Sequence, residues 1–182
     1  MKKKPKILVV GSGIIGASIA LSCVNLGADV VVLEQNKLGG AASSNSFGWI
    51  NASFAESPAY FDLRNAAVNA FRNLKTELNL NDSVSWQGAL WWEDSGQEQK
   101  KQFNNLLDRG YAAKLLNKNE IKSLEPNLKD VPEAAIFTPL EGAAEADRVA
   151  LAMMSKLTDQ GGKVISGCKV EGLKFKKGRV SS

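Results

Sequence analysis

The chain has 182 residues, of which 44% are hydrophobic and 23% are charged, and it contains no histidine. This composition is typical of one large or two small globular domains, and it argues against collagen, a coiled coil or wholesale disorder. The lack of histidine excludes a Ser-His or Cys-His catalytic pair and an imidazole metal ligand, and we predict no metal site.

The positive charge is concentrated near the amino terminus. The net charge of +4 equals the contribution of the lysines at positions 2, 3, 4 and 6, so the rest of the chain sums to zero. A second short basic cluster lies at 174–179. A nucleic-acid surface usually combines a basic stripe with aromatic residues, so we interpret both ends as solubilising and predict no nucleic-acid partner.

The cysteines and the hydropathy indicate where the protein resides. Cys23 and Cys168 lie far apart in sequence and form no CxxC motif. We therefore expect reduced thiols and a cytoplasmic location, with peripheral membrane association left open. No run approaches the 18 apolar residues or so of a membrane span, so no transmembrane segment is predicted.

A βαβ unit is predicted at the start of the chain. Residues 7–10 form a short apolar run that is typical of a buried parallel strand. The glycine-rich stretch 11–16 follows, then a helix that ends at Gly27, then a second strand over 30–33. We expect this helix to bury the stripe Ile15, Ile19, Ala20, Val24 and Leu26.

The stretch Gly11-Ser12-Gly13-Ile14-Ile15-Gly16 has the pattern GxGxxG, which is weak evidence by itself. Its position between a strand and a helix favours a dinucleotide site over a plain structural turn. The first glycine permits the sharp turn, the second leaves room for a pyrophosphate, and the third lets the helix and strand pack closely. The amides at the helix N-terminus would then face the phosphates.

Glu34 stands at the end of the second strand, 18 residues beyond the last glycine of the motif. A carboxylate at this place accepts hydrogen bonds from ribose hydroxyls and repels a 2′-phosphate. This favours FAD or NAD over NADP. The alternative interpretation is a solvated acid at the end of a strand.

A loop rich in Gly, Ser and Asn spans 37–57, and its length favours a functional role. A helix is predicted to begin at Ser57-Pro58, with serine as the N-cap and proline at the first helical position. We expect Arg64 and Arg72 to be solvated on the outer face of this helix. Its expected buried stripe is Tyr60, Leu63, Ala67, Phe71, Leu74 and Leu78.

Shorter elements follow. Strand-like residues fill 83–93. Ser95 and Glu98 form a capping box for a helix that ends at Gly110, and Asn117 and Glu120 give a weaker start for a short helix that stops at Pro126.

The carboxyl-terminal elements are predicted from the same kinds of signal. Residues 127–146 are expected to be irregular apart from a strand over 134–138. Asp147 is the predicted N-cap of a helix over 149–157, which Gly161 and Gly162 end. The remaining predicted elements are strands over 163–165 and 169–175, a hairpin turn over 176–179 and a returning strand over 180–182.

The segment after the second strand argues against an NAD-binding Rossmann domain, in which further βα units would follow. The organisation resembles the FAD-dependent D-amino-acid oxidase family, which includes glycine oxidase, sarcosine oxidase and D-amino-acid dehydrogenase. The resemblance covers essentially the whole chain. The stretches that carry it are ILVVGSGIIGASIALSCVNLGADVVVLE (7–34), GGAASSNSFGWINA (39–52) and, more weakly, EADRVALAMMSKLTDQGGKVISGCKVEGL (145–173).

The resemblance implies FAD as the cofactor and extends the candidate site beyond the first motif. The second Gly/Ser loop would pass along the pyrophosphate and ribityl chain, with residues 46–48 nearest the isoalloxazine. The backbone of Val170 would meet the adenine, and Gln35 would line the adenine pocket. The predicted cofactor-binding residues are Gly11, Ser12, Gly13, Ile14, Ile15, Gly16, Glu34, Gln35, Ala42, Ser43, Ser44, Asn45 and Val170.

The resemblance also implies an α/β fold in which a Rossmann-like FAD-binding βαβ domain is joined to the start of an α+β substrate domain. The expected segments are 1–80 for the first part of the FAD-binding domain, 81–140 for the substrate domain, and 141–182 for an incomplete return to the FAD-binding domain. The chain therefore resembles an N-terminal fragment. Trp86, Trp91 and Trp92 are expected mostly in the core of the substrate sheet.

The activity implied is oxidation of an amine or amino acid at its C–N bond by hydride transfer to the flavin. No catalytic residue is assigned. Two alternatives are a non-catalytic nucleotide-binding fragment that needs a partner, such as a C-terminal half or a partner subunit, and an NAD-binding dehydrogenase. The sequence does not give the substrate, the electron acceptor or the oligomeric state.

Overall fold

The structure is a computed structural model that describes residues 3–180. The chain forms two compact units. The first takes in the chain up to Gly48, then Leu78–Ser83, then the chain from Glu145; the second takes in Trp49–Glu77 and Val84–Ala144.

The elements in chain order are β1 (Lys6–Val10), α1 (Ile14–Asn25), β2 (Asp29–Leu33), α2 (Ala41–Ser44), β3 (Trp49–Ile50), α3 (Pro58–Glu77), β4 (Val84–Ser85), β5 (Ala89–Trp91), α4 (Gly96–Asp108), β6 (Lys114–Asn117), α5 (Lys118–Leu124), β7 (Ala134–Thr138), β8 (Gly142–Ala144), α6 (Ala146–Asp159), β9 (Lys163–Ile165), β10 (Phe175–Lys176) and β11 (Arg179–Val180).

The predicted βαβ arrangement is confirmed in the first unit. β1 and β2 pair in parallel, and β9 pairs in parallel with the other side of β2, so the sheet order is β1-β2-β9. α1 contacts both β1 and β2, α6 contacts β9, and the two helices contact each other. They therefore cover the same face of the sheet, where Val9, Val30 and Val32 are buried.

α1 ends as predicted at Gly27, which has a φ of 85°. The Gly27 amide donates to the Val24 carbonyl at 2.9 Å and the Ala28 amide to the Cys23 carbonyl at 3.1 Å. This pair of bonds is the Schellman arrangement, which needs a residue that tolerates the left-handed region.

The predicted buried stripe of α1 is wrong in part. Ile15, Ile19 and Leu26 are exposed, and the fully buried positions are Ala17, Ala20 and Leu21. α1 carries apolar residues on every side, so the spacing of apolar residues could not identify the inner face. Two of the three buried positions are alanines, which the apolar spacing did not single out.

α6 begins earlier than predicted. Glu145 is its N-cap, and Asp147 lies in the first turn, so the prediction of Asp147 as the N-cap is wrong. The backbone sets the boundary: the Glu145 carbonyl accepts the first helical bond, from the Val149 amide at 3.0 Å, and the Glu145 amide donates to the Ser83 carbonyl at 2.9 Å.

The tail after β9 forms less strand than predicted. Only Phe175 of the predicted strand 169–175 is paired, as the first residue of β10, so that prediction is wrong for 169–174. The predicted hairpin turn is confirmed, and its two central residues, Lys177 and Gly178, have φ values of 52° and 72°, which suit a two-residue hairpin loop. The last two residues of the predicted returning strand, 181 and 182, lie outside the described residues.

The second unit contains two antiparallel three-stranded sheets, β3-β8-β4 and β5-β7-β6. The predicted strand over 134–138 is present as β7. β3, β6 and β8 were not predicted, and β8 shows that 127–146 is not otherwise irregular. These strands have two to four residues, and β8 consists only of glycine and alanine, so their pairing partners rather than their own propensity define them.

α3 begins as predicted, with the Ser57 hydroxyl accepting a bond from the Tyr60 amide at 3.3 Å. Its predicted stripe is wrong in part: Tyr60, Leu63 and Ala67 are exposed, whereas Phe71, Leu74 and Leu78 are half-buried. The fully buried residues of the helix are Phe61 and Val68. The true inner face also carries two arginines, which interrupt the apolar pattern.

Arg64 and Arg72 are half-buried, so the prediction that both are solvated is wrong. Arg64 donates to the carbonyls of Asn51 and Phe54, at 3.2 and 3.0 Å. Arg72 donates to the Leu140 carbonyl at 2.7 Å, and its guanidinium lies 4.1 Å from the centre of a Trp86 ring. Arginine can face inward in this way because its stem packs on apolar surface while its head binds carbonyls.

The predicted capping box at Ser95 and the predicted weaker helix start at Asn117 differ in how completely they cap their helices. The Ser95 hydroxyl accepts from the Glu98 amide at 3.0 Å, but the Glu98 side chain contacts Lys101 and Gln102 instead of returning to Ser95. Asn117 forms the full reciprocal box with Glu120. The motif that looked weaker in sequence therefore gives the stronger cap.

The core of the second unit is aromatic. Phe61, Trp91, Leu106, Tyr111 and Ile136 are buried together, and Trp86 packs against them. Trp92 is exposed. None of the helices within residues 3–180 is both long and apolar enough to cross a membrane.

Candidate functional site

The glycine motif forms a tight turn between β1 and α1. Gly11 has a φ of 100°, and its amide donates to the Leu33 carbonyl at 2.8 Å. A side chain at Gly16 would place its Cβ 2.1 Å from the Gly11 carbonyl oxygen. Only glycine fits at that position, because the helix packs directly on the turn.

We call the space beside the glycine turn, next to the first turn of α1, the corner. The first turn of α1 presents amide groups to it. The Ile14 amide donates to the hydroxyl of Ser43 at 3.0 Å. Within residues 3–180 the amides of Ile15 and Gly16 have no acceptor. Free amides and the positive end of the helix dipole attract an anion to this point.

Glu34 is turned back toward the glycine motif and is only 8% exposed. One carboxylate oxygen accepts from the Ser12 amide at 2.9 Å and the Ser12 hydroxyl at 3.0 Å, and the other accepts from the Asn36 amide at 2.9 Å. Hydrogen bonds from the Asn36 and Ser12 amides hold the pKa of Glu34 below its ordinary value, against the opposing effect of burial. The group is therefore an ionised acceptor at neutral pH.

The loop that follows β2 packs onto the glycine motif. The Gly39 amide donates to the Ser12 hydroxyl at 3.3 Å. Gly40 has a φ of 75°, and a Cβ there would lie 2.6 Å from the Cα of Gly13. The two glycine segments touch backbone to backbone, and this contact brings Ser43 to the start of α1.

The segment after β9 reaches the same corner through one backbone bond. The Cys168 amide donates to the Glu34 carbonyl at 2.9 Å. Val170 lies two residues further on and lines the same cavity as Glu34. The backbone groups of Val170 have no partner within residues 3–180, so they remain available to a ligand.

A cavity of about 380 Å³ lies between these segments. A second cavity of about 490 Å³ shares Gly11, Gly13, Ala42 and Ser43 with it and adds the first turn of α1. Ten of the predicted residues therefore line one cavity or the other: Gly11, Gly13, Ile14, Ile15, Gly16, Glu34, Gln35, Ala42, Ser43 and Val170.

Three predicted residues do not line these cavities. Ser12 is fully buried, and its amide and hydroxyl are engaged by Glu34. Ser44 and Asn45 are exposed, and both donate to the carbonyl of Ala41, at 3.0 and 2.7 Å. Ser12 thus supports the acid, and the other two close the short helix α2.

Sequence reasoning missed Asn36, Gly40 and Cys168, which also line the first cavity. Asn36 and Cys168 contribute backbone bonds, which leave no trace in residue type. The one available signal was the pair Gly39-Gly40, since adjacent glycines favour close backbone contact.

A second buried acid was also missed, in the other unit. Glu141 has no exposed surface, and its carboxylate accepts hydrogen bonds from six groups. These donors are the Trp49 indole, the amides of Ala52 and Ser53, and the hydroxyls of Ser53, Tyr111 and Thr138. Burial, followed by the charge of Glu141, raises the pKa of Tyr111.

The chain matches one protein-family model and several curated proteins. The family model described as DAO, FAD dependent oxidoreductase, matches residues 6–182. Subunit A1 of the anaerobic glycerol-3-phosphate dehydrogenase of Haloferax volcanii is 25% identical over 99% of this chain and 31% of that protein. Glycine oxidase of Bacillus licheniformis is 28% identical over 70% of this chain and 36% of that protein.

Solved structures share the fold. L-amino acid deaminase from Proteus vulgaris matches with a TM-score of 0.84 and 19% identity, over 100% of this chain and 44% of that one. The chain thus spans about a third of the length of the curated relatives and less than half of this structure.

Proposed function

The chain belongs to the DAO family of FAD-dependent oxidoreductases, and from that premise we propose that it is part of an enzyme that oxidises an amine or amino acid at its C–N bond. The observation that carries the proposal is the corner where α1, Glu34 and Val170 meet. The relatives named glycine oxidase and L-amino acid deaminase supply the substrate class.

The residues of the first unit fit the adenosine diphosphate part of FAD. The free amides of Ile15 and Gly16 suit phosphate oxygens, and the Ser43 hydroxyl hydrogen, which has no acceptor within residues 3–180, suits them as well. Glu34 suits ribose hydroxyls because its carboxylate is ionised and already oriented by Ser12 and Asn36. The backbone of Val170 suits the adenine edge.

When bound, FAD supplies the redox chemistry by accepting a hydride from the carbon next to the substrate nitrogen. The contribution of this chain is to hold and orient the cofactor. We propose that the first unit does so, with residues 46–48 nearest the flavin ring, and that the aromatic second unit belongs to the substrate domain. No side chain of this chain is assigned a proton-transfer role.

The relatives' greater length leads us to propose that activity needs the rest of the family fold, from a continuing chain or a partner. Two curated relatives are subunits, named A1 and A, of anaerobic glycerol-3-phosphate dehydrogenases. A cytoplasmic location is part of the proposal, supported by the reduced-thiol expectation for Cys23 and Cys168.

A second candidate substrate is glycerol 3-phosphate. The match to the Haloferax volcanii subunit extends over 99% of this chain, whereas the match to glycine oxidase extends over 70%. The two candidates differ in the bond that is oxidised, C–O in the alcohol and C–N in the amine, so a direct assay separates them.

The test uses two proteins: this chain alone, and a fusion in which it is joined to the part of Bacillus licheniformis glycine oxidase that follows its match. Each is equilibrated with FAD, freed of unbound FAD, and measured for flavin absorbance. We expect the fusion to retain FAD near one per chain and to reduce a dye with amino acids such as glycine or L-proline. Reduction by glycerol 3-phosphate alone would establish the second candidate, and no FAD uptake by either protein would contradict both.

A further inference from the structure

Glu141 is a buried acid that the proposed cofactor site does not use. Its side chain has no exposed surface, and it lines neither of the two cavities described above. Removing a carboxylate from water is costly, so such a group persists in a protein interior only where hydrogen bonds compensate for the lost hydration. The position of those hydrogen bonds indicates what the acid does.

The hydrogen bonds of Glu141 converge on one segment of the chain, 49–53. One carboxylate oxygen accepts from the Ala52 and Ser53 amides, each at 3.1 Å, and the Ser53 hydroxyl donates to the same oxygen. The other oxygen accepts from the Trp49 indole at 3.0 Å. Four of the six donors named above therefore belong to this segment.

Side chains, rather than secondary structure, fix the path of the chain after β3. No helix or strand covers 51–57. Arg64 donates to two carbonyls of this stretch, at 3.2 and 3.0 Å, and Arg109 donates to a third at 3.0 Å. Glu141 thus accepts from amides of this part of the chain while the two guanidinium groups bind its carbonyls, and backbone groups that lack a regular partner are satisfied.

The segment held by Glu141 continues directly from residues 46–48, which we proposed to lie nearest the flavin ring. Its first residue, Trp49, is half-buried, and its ring meets that of Phe54 edge to face, with 5.4 Å between the ring centroids. Functional sites need side chains whose conformations are locked by surrounding hydrogen bonds and packing. The bond from the indole to Glu141 locks Trp49 in this way.

We propose that Glu141 is a positioning residue that fixes the orientation of the Trp49 indole and the path of 49–53, and that the chain leaving residues 46–48 is thereby held in one arrangement for hydride transfer. Glu141 acts through Trp49 rather than by contact with the cofactor. The inference rests on the proposed function, because that proposal places 46–48 beside the flavin ring.

Glu141→Gln separates the hold on Trp49 from the rest of the network. The glutamine carbonyl can still accept from the Ala52 and Ser53 amides, whose hydrogens have a fixed direction. Its NH2 group then faces the Trp49 indole, donor against donor, whereas the Thr138 hydroxyl can rotate and accept from it. The variant therefore releases Trp49 with little other change.

The first measurement uses the chain alone, without FAD. Nuclear magnetic resonance follows the exchange of the indole protons of Trp49 and Trp91 with water, assigned by replacing each tryptophan with phenylalanine. Trp91 is the internal reference, because its indole nitrogen is buried in the same unit and has no partner within residues 3–180. We expect Glu141→Gln to raise the rate for Trp49 relative to Trp91 at least about tenfold.

Ile121→Ala is the control for a general loss of stability, because Ile121 is fully buried in the second unit and takes no part in the hydrogen bonds of Glu141. It should change the two indole rates together and leave their ratio unaltered. An unchanged ratio in Glu141→Gln would overturn the proposal, as would an equal change of the ratio in Ile121→Ala.

The second measurement uses the fusion with bound FAD. We expect Glu141→Gln to alter the visible circular dichroism of the flavin and to lower kcat at least about tenfold. The dissociation constant of FAD should stay within about twofold, because the cavities that fit the adenosine diphosphate part are unchanged. Ile121→Ala should alter neither the flavin signal nor kcat.

The two measurements fail in different ways. Faster indole exchange with an unaltered flavin signal and kcat would leave Glu141 a structural role only and overturn the proposal. No uptake of FAD by the unmodified fusion would contradict the proposed function, and the indole ratio in the chain alone would then decide whether Glu141 holds Trp49.

Discussion

Glu34 and Glu141 are both buried carboxylates, and neither is paired with a cation within residues 3–180. They differ in how many hydrogen bonds they already accept. An ionised carboxylate offers about four acceptor positions. Glu34 uses three and keeps capacity for a ligand, whereas Glu141 has six donors and is saturated. The first is suited to binding, and the second to fixing the loop after Trp49.

Replacing Glu34 tests the ribose contact. We expect Glu34→Gln in the fusion to weaken FAD binding by about tenfold or more, because hydrogen bonds to a charged group are worth about 1.5–3 kcal/mol. The glutamine NH2 group would also face either the Ser12 amide or the Asn36 amide, donor against donor, because it replaces one of the two carboxylate oxygens. Quenching of flavin fluorescence gives the dissociation constant. Glu77→Gln is the matched control, because the Glu77 side chain is exposed and has no hydrogen bond or ion pair within residues 3–180; it should leave the constant unchanged.

The lowered pKa of Glu34 predicts a pH dependence of stability. A carboxyl group whose pKa is lower in the folded state stabilises the fold above its unfolded pKa, which is near 4.5, and this contribution is lost as the pH falls through the folded pKa. Urea unfolding from about pH 7 to about pH 3 should therefore show wild type losing stability more steeply than Glu34→Gln below about pH 4.5. If the free energy of unfolding falls equally with pH in wild type and Glu34→Gln, the Ser12 and Asn36 amides do not hold Glu34 as described.

Removing the Glu141 carboxylate should destabilise the second unit strongly. Glu141→Ala leaves several buried donors without an acceptor, and each such group costs about 1–3 kcal/mol. We expect a loss of about 3 kcal/mol or more in urea unfolding followed by tryptophan fluorescence. Glu133→Ala, at a surface acid paired with Lys118, should change stability by less than about 1 kcal/mol. Similar effects of both variants would contradict the role given to Glu141.

At the scale of elements, boundaries were more predictable than inner faces. Gly27, Gly110 and the pair Ser57-Pro58 mark helix ends by backbone chemistry that the residue type itself imposes. The buried faces of α1 and α3 were mispredicted for opposite reasons. α1 is apolar all round, and α3 turns Arg64 and Arg72 inward onto carbonyls that the sequence does not reveal.

The contact between the glycine turn and α1 gives an element-scale prediction. Gly16→Ala should cost about 2 kcal/mol or more, because its Cβ would lie 2.1 Å from the Gly11 carbonyl oxygen. Gly96→Ala is the matched control: Gly96 stands in the first turn of α4, where an added Cβ would meet no side chain or other segment of residues 3–180 within 4 Å, and we expect a gain of about 0.5 kcal/mol. Thermal unfolding compares the two, and equal stability of both variants would contradict the close packing at Gly16.

At the scale of the whole molecule, local and distant features differed in how far they could be predicted. The GxGxxG motif, Glu34 and the resemblance of three stretches pointed to the α/β fold and to FAD. The backbone contacts of Asn36 and Cys168 and the short strands β3, β6 and β8 could not be predicted, because partners distant in sequence define them. The same holds for Glu141, whose donors lie up to 92 residues away.

The two units differ in how continuous their residues are along the chain, and this difference gives a prediction about folding. The second unit is nearly continuous, and its buried cluster lies within 52–136. We expect the excised segment 49–144 to show a cooperative thermal transition by circular dichroism. The segment 1–48 should show none, because its sheet lacks β9. A transition in 1–48, or its absence in 49–144, would contradict the independence of the second unit.

The position of β9 has a consequence for synthesis on the ribosome. β2 is made early, but its neighbour β9 follows about 130 residues later, after the whole second unit. At about 5–20 residues per second, β2 waits for several seconds with one side unpaired. During that interval the nascent chain carries an apolar strand edge, and we expect this to be the period in which it depends most on chaperones.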